Sequence, residues 1–159
     1  MGEGLSSERV AWLNDFARER HPGLVGVEVL SCEPERVTGR LPVTAPLVAG
    51  TGYLWAPVVI TLADWLCACG IGGQIPEGAS FTTLEIKTNF TGTAREGATV
   101  LGEARPVHRG RSTHVWDVEV SETEEGWFAE IRIPTSSLRF EQSGGDVVMG
   151  MTTYRWVIE

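Results

Sequence analysis

The chain has 159 residues, enough for one domain with a buried core. Hydrophobic residues make up 42% and charged residues 21%, the mix of a globular protein with an ordinary interior. Thirteen Lys and Arg against 21 Asp and Glu leave a net charge of -8, which excludes a general nucleic-acid binder because phosphate contacts need clustered cations.

Residues 6–20 are predicted to form an amphipathic helix. Val10, Leu13 and Ala17 make its apolar side, Trp12 and Phe16 flank it, and Ser6 and Ser7 stand near its start. His21-Pro22-Gly23 stops it. Glu3, Glu8 and Arg9 have no apolar stretch behind them, so no signal peptide is read and a cytoplasmic location is expected. Residues 24–31 alternate loosely and are predicted as a strand. Residues 36–43 are predicted as a second, paired with the first across Glu33-Pro34-Glu35.

A loop rich in Ala, Gly and Pro follows over residues 44–53. Pro57 then sits in the first turn of a second helix, where its missing N–H is not needed. This helix ends near Gly70-Ile71-Gly72-Gly73. Val59, Leu62, Ala63, Leu66 and Cys67 lie around its whole circumference, which predicts burial nearly all round. It is too short, and too interrupted by Asp64, to span a membrane.

Four β-type runs come next, at residues 80–90, 99–108, 112–121 and 127–139. Short turns between them argue for an antiparallel meander. One apolar helix among six antiparallel strands implies an α+β domain whose sheet curls around that helix. A single domain spans the chain, with its core at about 24–139. After the break at Gln142-Ser143-Gly144-Gly145-Asp146, residues 152–158 form a short β-like end of open placement. Cys32, Cys67 and Cys69 are an odd set with no matching His/Cys partners, so they are read as reduced thiols and no metal is expected.

Asp64 is the residue that most constrains function. It stands in the apolar run from Ala56 to Gly70, and its neighbours one turn away are Ile60, Thr61, Cys67 and Ala68. An ionised carboxylate is costly to bury without compensation. No cation on its own helix face can supply it. The acid therefore either meets solvent or ligand at an interface, or is satisfied from elsewhere in the fold.

The run from Gly52 through Trp55, Ala56 and Pro57 to Leu62-Ala63-Asp64 resembles the motif of the phenylacetic-acid-degradation type (PaaI-like) acyl-CoA thioesterases. There, Gly-x-x-His-Gly/Ala-Gly opens a helix that reaches Leu-Ala-Asp. Residues 81–90 resemble that family's following strand, and residues 106–112 its later turn. The resemblance implies a hotdog fold, a curved antiparallel sheet wrapped around a long central apolar helix, here with an extra N-terminal helix. It implies hydrolysis of an acyl- or aryl-CoA thioester to free acid and coenzyme A, with no cofactor beyond the coenzyme A of the substrate. Asp64 would be the nucleophile or general base. The Ala56 N–H would hold the thioester carbonyl oxygen at the helix N-terminus. Thr83 would hydrogen-bond the attacking water, and Arg109, Gly110 and Arg111 would meet the nucleotide and phosphates.

The chain departs from that pattern at three places. Trp55 stands for the usual His, Pro57 for the second Gly, and Ala49 or its neighbours for a loop Asn. Trp55 is read either as a wall of an acyl or aryl pocket or as interface packing. Pro57 leaves Ala56 and later amides as the donors.

Ala56 and Asp64 are eight residues apart, about 12 Å along a helix. One small carbonyl group cannot easily meet both in one subunit, so the spacing predicts a site built from two chains. The family's sites at a two-fold interface agree, and a homodimer or a tetramer of two dimers is expected. Two rivals remain: an acyl-CoA-binding hotdog protein without activity, and a hotdog dehydratase or hydratase. The latter would want a His close to the acid, and none of His21, His108 and His114 lies in the helix motif.

Overall fold

The computed structural model of the protein describes residues 2–122, 128–135 and 149–150. Helix α1 (Gly2–Ala17) is followed by a single helical turn, α2 (His21–Leu24). Strands β1 (Glu28–Glu33) and β2 (Arg36–Pro42) come next, and then the long helix α3 (Ala56–Gly72). The remaining strands are β3 (Lys87–Phe90), β4 (Thr99–Arg109), β5 (Thr113–Glu122), β6 (Phe128–Thr135) and the two-residue β7 (Met149–Gly150).

The sheet order is β1-β2-β4-β5-β7-β6-β3, with β5 also paired to β6. All ladders are antiparallel except the single β5–β7 contact. Only β4, β5 and β6 form the predicted meander. β3 lies at the far edge beside β6, because the chain leaves the sheet after β2, passes through α3 and re-enters on the other side. The concave face carries Val37, Leu41, Val100, Ala104, Trp116, Val118 and Val120, all fully buried together with Leu62 and Leu66 of α3. This is the hotdog architecture.

Several boundaries differ from the predicted ones. α1 runs from Gly2 to Ala17 rather than over 6–20, and His21–Leu24 form a helical turn where a helix stop and the first strand residue were predicted. Pro22 suits a first helical turn, and Gly23 passes so close to Ala17 that a Cβ there would lie 2.2 Å from the Ala17 oxygen. β1 therefore begins four residues late. Of the predicted run at 80–90, Lys87–Phe90 forms a strand, Ser80 and Thr83 sit in β-bridges, and Thr83 also reaches Asp64 of α3. Residues 127, 136–139 and 152–158 of the predicted strands lie outside the described residues.

α3 is seated by unusually close contacts. Gly39 and Gly102 face each other across the β2–β4 ladder. A Cβ on either would come within 2.7 Å of a Leu66 methyl. A Cβ on Gly70 would fall 2.2 Å from Cη2 of the buried Trp116. Arg9 of α1 caps the far end of α3, its Nη2 donating to the Cys69 carbonyl at 2.8 Å. That carbonyl belongs to the last turn, where no intrahelical partner exists. Asn14 clamps α1 to β1, donating to the Val29 oxygen at 2.9 Å and accepting from the Val29 N–H at 2.8 Å. Cys32, Cys67 and Cys69 are all buried free thiols, and burial pushes Cys67 and Cys69 well above the usual thiol range.

The helix is not buried all round. Val59, Leu62, Ala63, Leu66, Cys67 and Gly70 face the sheet. A stripe of Pro57, Thr61, Asp64, Trp65, Ala68 and Gly72 remains partly or fully open. These positions recur at helical spacing, so they share one face.

Candidate active site

Asp64 projects from the open stripe midway along α3 and is partly buried. The segment between α3 and β3 brings Thr83 over it, and the Thr83 hydroxyl donates to Asp64 Oδ1 at 2.7 Å. Burial raises the Asp64 carboxyl above the ordinary carboxylate value, and the Thr83 hydrogen bond opposes that rise without cancelling it. No cation pairs with Asp64 among the described residues. Among the described residues, the Thr83 hydroxyl is the group that holds the acid.

The N-terminus of α3 is held by the preceding loop. The Leu54 N–H donates to Ala94 O at 2.8 Å and the Trp55 N–H to Leu47 O at 2.9 Å. Trp55 is the N-cap residue in extended conformation, and no side chain caps the helix. The Ala56 N–H is the first amide of the helix, for which an α-helix has no internal acceptor. Pro57 has none to offer, and the Val58 N–H is taken by Trp55 O at 3.0 Å. Ala56, Pro57 and Trp55 are exposed, Trp55 by 57%. Ala56 and Asp64 lie on one unbroken helix, so the separation of about 12 Å holds within the chain.

Arg109, Gly110 and Arg111 form the tight turn between β4 and β5, closed by Gly110 N–H donating to Thr113 O at 2.6 Å. A Cβ on Gly110 would meet His108 Nε2 at 2.8 Å. This turn stands near the C-terminal end of α3. Arg109 donates there to Glu35 Oε1 at 2.7 Å and to Pro34 O at 2.6 Å, and Gln74 reaches the same Pro34 oxygen at 2.9 Å. Arg111 is exposed. Of the eight predicted site residues, one chain therefore joins only Asp64 and Thr83. Trp55, Ala56 and Pro57 gather at one end of α3, and the Arg-Gly-Arg turn near the other.

His114 is buried on β5, where burial, and then Arg109 and His108, hold its pKa below the usual imidazole value. His21 holds an unforeseen place. Its Nε2 lies 3.0 Å from Thr61 Oγ1, one turn before Asp64. Thr61 spends its own proton on Pro57 O at 3.0 Å, so His21 Nε2–H is the donor in that pair. In the sequence, His21 gave only a helix-stop signal.

The second unforeseen feature is a cavity of about 350 Å³ between α1 and α3, lined by Trp12, Phe16, Trp65, Ala68, Gly72 and Phe81 among others. Trp65 follows Asp64 directly, and Ala68 is one turn on. Trp12 and Phe16 stack at 5.2 Å between centroids, and Phe16 and Trp65 at 6.2 Å with ring planes 3° apart. The helical spacing of Trp12 and Phe16 marked them as flanking residues, but nothing local pointed to Trp65 as their partner. Among the described residues no group of three or more His, Cys, Asp or Glu is placed to hold a metal, and no helix is long and apolar enough to cross a membrane.

Residues 51–126, which include Asp64, Thr83 and the Arg109 turn, match the model of the thioesterase superfamily. The Bacillus subtilis (strain 168) protein ComA2 is 30% identical over 102 residues, covering 64% of this chain and 80% of that protein. The chain belongs to the thioesterase superfamily. Thioester hydrolysis is the reaction class that goes with that membership. A 1,4-dihydroxy-2-naphthoyl-CoA hydrolase of Listeria monocytogenes serotype 1/2a (strain 10403S) is 29% identical over 101 residues, covering 64% of this chain and 81% of the relative. The E. coli PaaI protein from the phenylacetic acid degradation operon has the same fold, with a TM-score of 0.66 at 21% identity, covering 89% of this chain and 99% of that one.

Proposed function

We propose that this thioesterase superfamily member hydrolyses an acyl- or aryl-CoA thioester with Asp64 as its catalytic carboxylate. One observation carries the reading: a desolvated acid on the open stripe of α3, held through one oxygen by Thr83 and unpaired to any described cation. Likeness to a naphthoyl-CoA hydrolase supports a coenzyme A thioester as substrate.

In the general-base route, Asp64 takes a proton from a water whose oxygen adds to the thioester carbon. The tetrahedral oxyanion then collapses, the C–S bond breaks, and coenzyme A leaves as a thiolate that takes up a proton. In the nucleophilic route, the carboxylate itself adds to that carbon, the C–S bond breaks to release coenzyme A as a thiolate that takes up a proton, and water then cleaves the resulting anhydride to the free acid and the restored Asp64 carboxylate. The raised proton affinity of Asp64 supports the base role, since desolvation makes a carboxylate a stronger base. The oxyanion is held by the free Ala56 N–H at a helix N-terminus. That donor comes from a second copy of the chain, because one copy keeps the two groups about 12 Å apart. Arg109 and Arg111 of the turn face the nucleotide phosphates. For Arg109 this requires partial release from the exposed Glu35, a weak surface pair.

The test is complementation between two damaged chains. Asp64→Asn lacks the base. Ala56→Pro lacks the donor, at a first helical position that tolerates proline and after a residue already extended. Each alone is expected to lose roughly 10²-fold or more in kcat, measured as thiol release from a panel of acyl- and aryl-CoA esters. Co-refolded in equal amounts, half the dimers are mixed, and each mixed dimer has one intact site of two. About a quarter of wild-type activity should return. No recovery from verified mixed dimers would rule out the shared site. Wild-type coenzyme A binding without any thiol release would favour a binding protein, the reading to which Trp55 and Pro57 lend support.

A further inference from the structure

We infer that His21 is a further catalytic residue of the Asp64 site, the acid that protonates the sulfur of the departing coenzyme A. The inference rests on the thioesterase reading of that site. In that reaction Asp64 takes its proton from the attacking water, while the sulfur that leaves needs a proton of its own. An imidazole is the side chain that exchanges protons most readily near neutral pH.

The backbone carries His21 to α3 on a tightly held turn. Arg20 is extended, and Pro22 opens the single turn α2. The Leu24 N–H donates to Arg20 O at 2.9 Å, and the Val27 N–H to Pro22 O at 2.9 Å. Gly23 lets this turn press against Ala17 of α1 where no Cβ would fit. The turn thus stands fixed between α1 and β1 and lays the imidazole on the open stripe of α3. There one hydrogen-bond chain orients the ring. Thr61 gives its proton to Pro57 O at 3.0 Å, so its oxygen accepts from His21 Nε2–H, also at 3.0 Å. With Nε2 committed, Nδ1 is the nitrogen from which the imidazolium can give a proton away. His21 is exposed and Thr61 partly buried, so an incoming group and solvent both reach the ring.

The spacing suits the sulfur. Thr61 precedes Asp64 by three residues, about 5–6 Å between Cβ atoms on one helix face. A water about 2.8 Å from the carboxylate, attacking from about 3 Å, sets the thioester carbon up to roughly 6 Å from Asp64. The sulfur, one bond further on, then falls about one helical turn from the acid, where Thr61 holds His21. On the other side of Asp64 the stripe continues with Trp65 and Ala68, apolar groups with no such proton to give. When the tetrahedral intermediate collapses, the C–S electron pair goes to sulfur and His21 Nδ1–H passes its proton there. Neutral His21 regains a proton from solvent, and Asp64 returns the water-derived proton to solvent. One thioester and one water become one acid and one thiol.

The experiment sets two leaving groups against each other. An acyl-CoA that the protein turns over is paired with the S-phenyl thioester of the same acid, whose thiophenol is acidic enough to leave as the free thiolate. Thiol release from both esters is compared for wild type, His21→Gln, His21→Ala, Thr61→Val and Asp64→Asn. His21→Gln keeps a donor for Thr61 but has no proton to transfer. It should lower kcat on the coenzyme A ester about tenfold or more and leave the phenyl ester within about twofold. Millimolar imidazole should restore His21→Ala on the coenzyme A ester alone. Thr61→Val, which frees the ring, should show the same pattern more weakly. Asp64→Asn should lose both esters, because attack on the carbon fails whatever leaves. Equal losses on the two esters, no loss in His21→Gln, or no rescue by imidazole overturns the acid and leaves the reaction standing. Asp64→Asn active on both esters overturns the base, while the contrast between the esters still decides His21. Thiol release from neither ester by wild type overturns the reaction and the acid together.

Discussion

Asp64→Asn should inactivate the protein and stabilise it at the same time. The amide is nearly isosteric and keeps an oxygen to accept from Thr83, so the 2.7 Å hydrogen bond survives in a weaker, uncharged form. What disappears is the charge that burial disfavours, the dominant influence on this carboxyl. The sign follows from linkage. A carboxyl whose folded-state pKa lies above its unfolded value makes the folded state the better proton binder, so its ionised form weakens folding. The penalty is absent below the unfolded value and complete once pH has risen through the folded one. Relieving a site of this kind is typically worth about 0.5–2 kcal/mol. At this chain length that is roughly 1–8 °C in Tm. Thermal melts of both proteins from pH 3.5 to 8 should converge at the acid end and diverge on the way to neutrality, with the variant higher. A variant less stable at pH 7, or an advantage that does not change with pH, would refute the reasoning.

Thr83→Val keeps the shape and removes the donor that holds the Asp64 pKa down, so the acid limb of the kcat/KM profile should move to higher pH, with a loss of roughly tenfold or more at neutrality. A limb that stays in place or moves down would mean that the hydroxyl does not act on the carboxylate. Gly70→Ala should cost about 1–3 kcal/mol in urea melts, because its methyl would meet the buried Trp116 ring at 2.2 Å. That clash outweighs a helix-propensity gain of up to ~1 kcal/mol. Gly72→Ala has only the 4.0 Å contact with Phe81 and should be neutral or slightly stabilising, which separates the clash from propensity.

The alternation of the strand runs and the uniform apolarity of α3 made the sheet-around-helix architecture legible, and the family resemblance put Asp64 and Thr83 in one site, with Thr83 expected on the attacking water, whereas its hydroxyl donates to the Asp64 carboxylate. Local pattern could not place β3, because edge position depends on where the chain re-enters the sheet after α3. Composition misjudged the burial of α3 for a physical reason. Thr61, Trp65 and Ala68 are compatible with a core, and their partial exposure depends on what packs against that face, which composition does not encode. The aromatic cavity joins residues some fifty positions apart, which no window along the chain connects.

The way α3 is seated explains how the fold tolerates its acid. On the sheet side the helix is pressed against backbone, with Leu66 over the facing Gly39 and Gly102 and Gly70 under Trp116. Arg9 fixes its C-terminal carbonyl to α1. Core substitutions at such contacts commonly cost 1–5 kcal/mol, so this side alone can hold the helix in register. The opposite stripe is then free to carry groups that fold poorly on their own: a desolvated carboxylate, an uncapped N-terminus, exposed Trp55 and the open aromatic slot. The acid and the slot share one face of α3, and the uncapped N-terminus with Trp55 stands at its start. A second copy laid against that stripe would bury the exposed tryptophan, supply a donor where each chain lacks one, and further desolvate Asp64. Assembly and activation of the base would then be the same event, and dilution below the dimer constant should abolish turnover before it unfolds the chain.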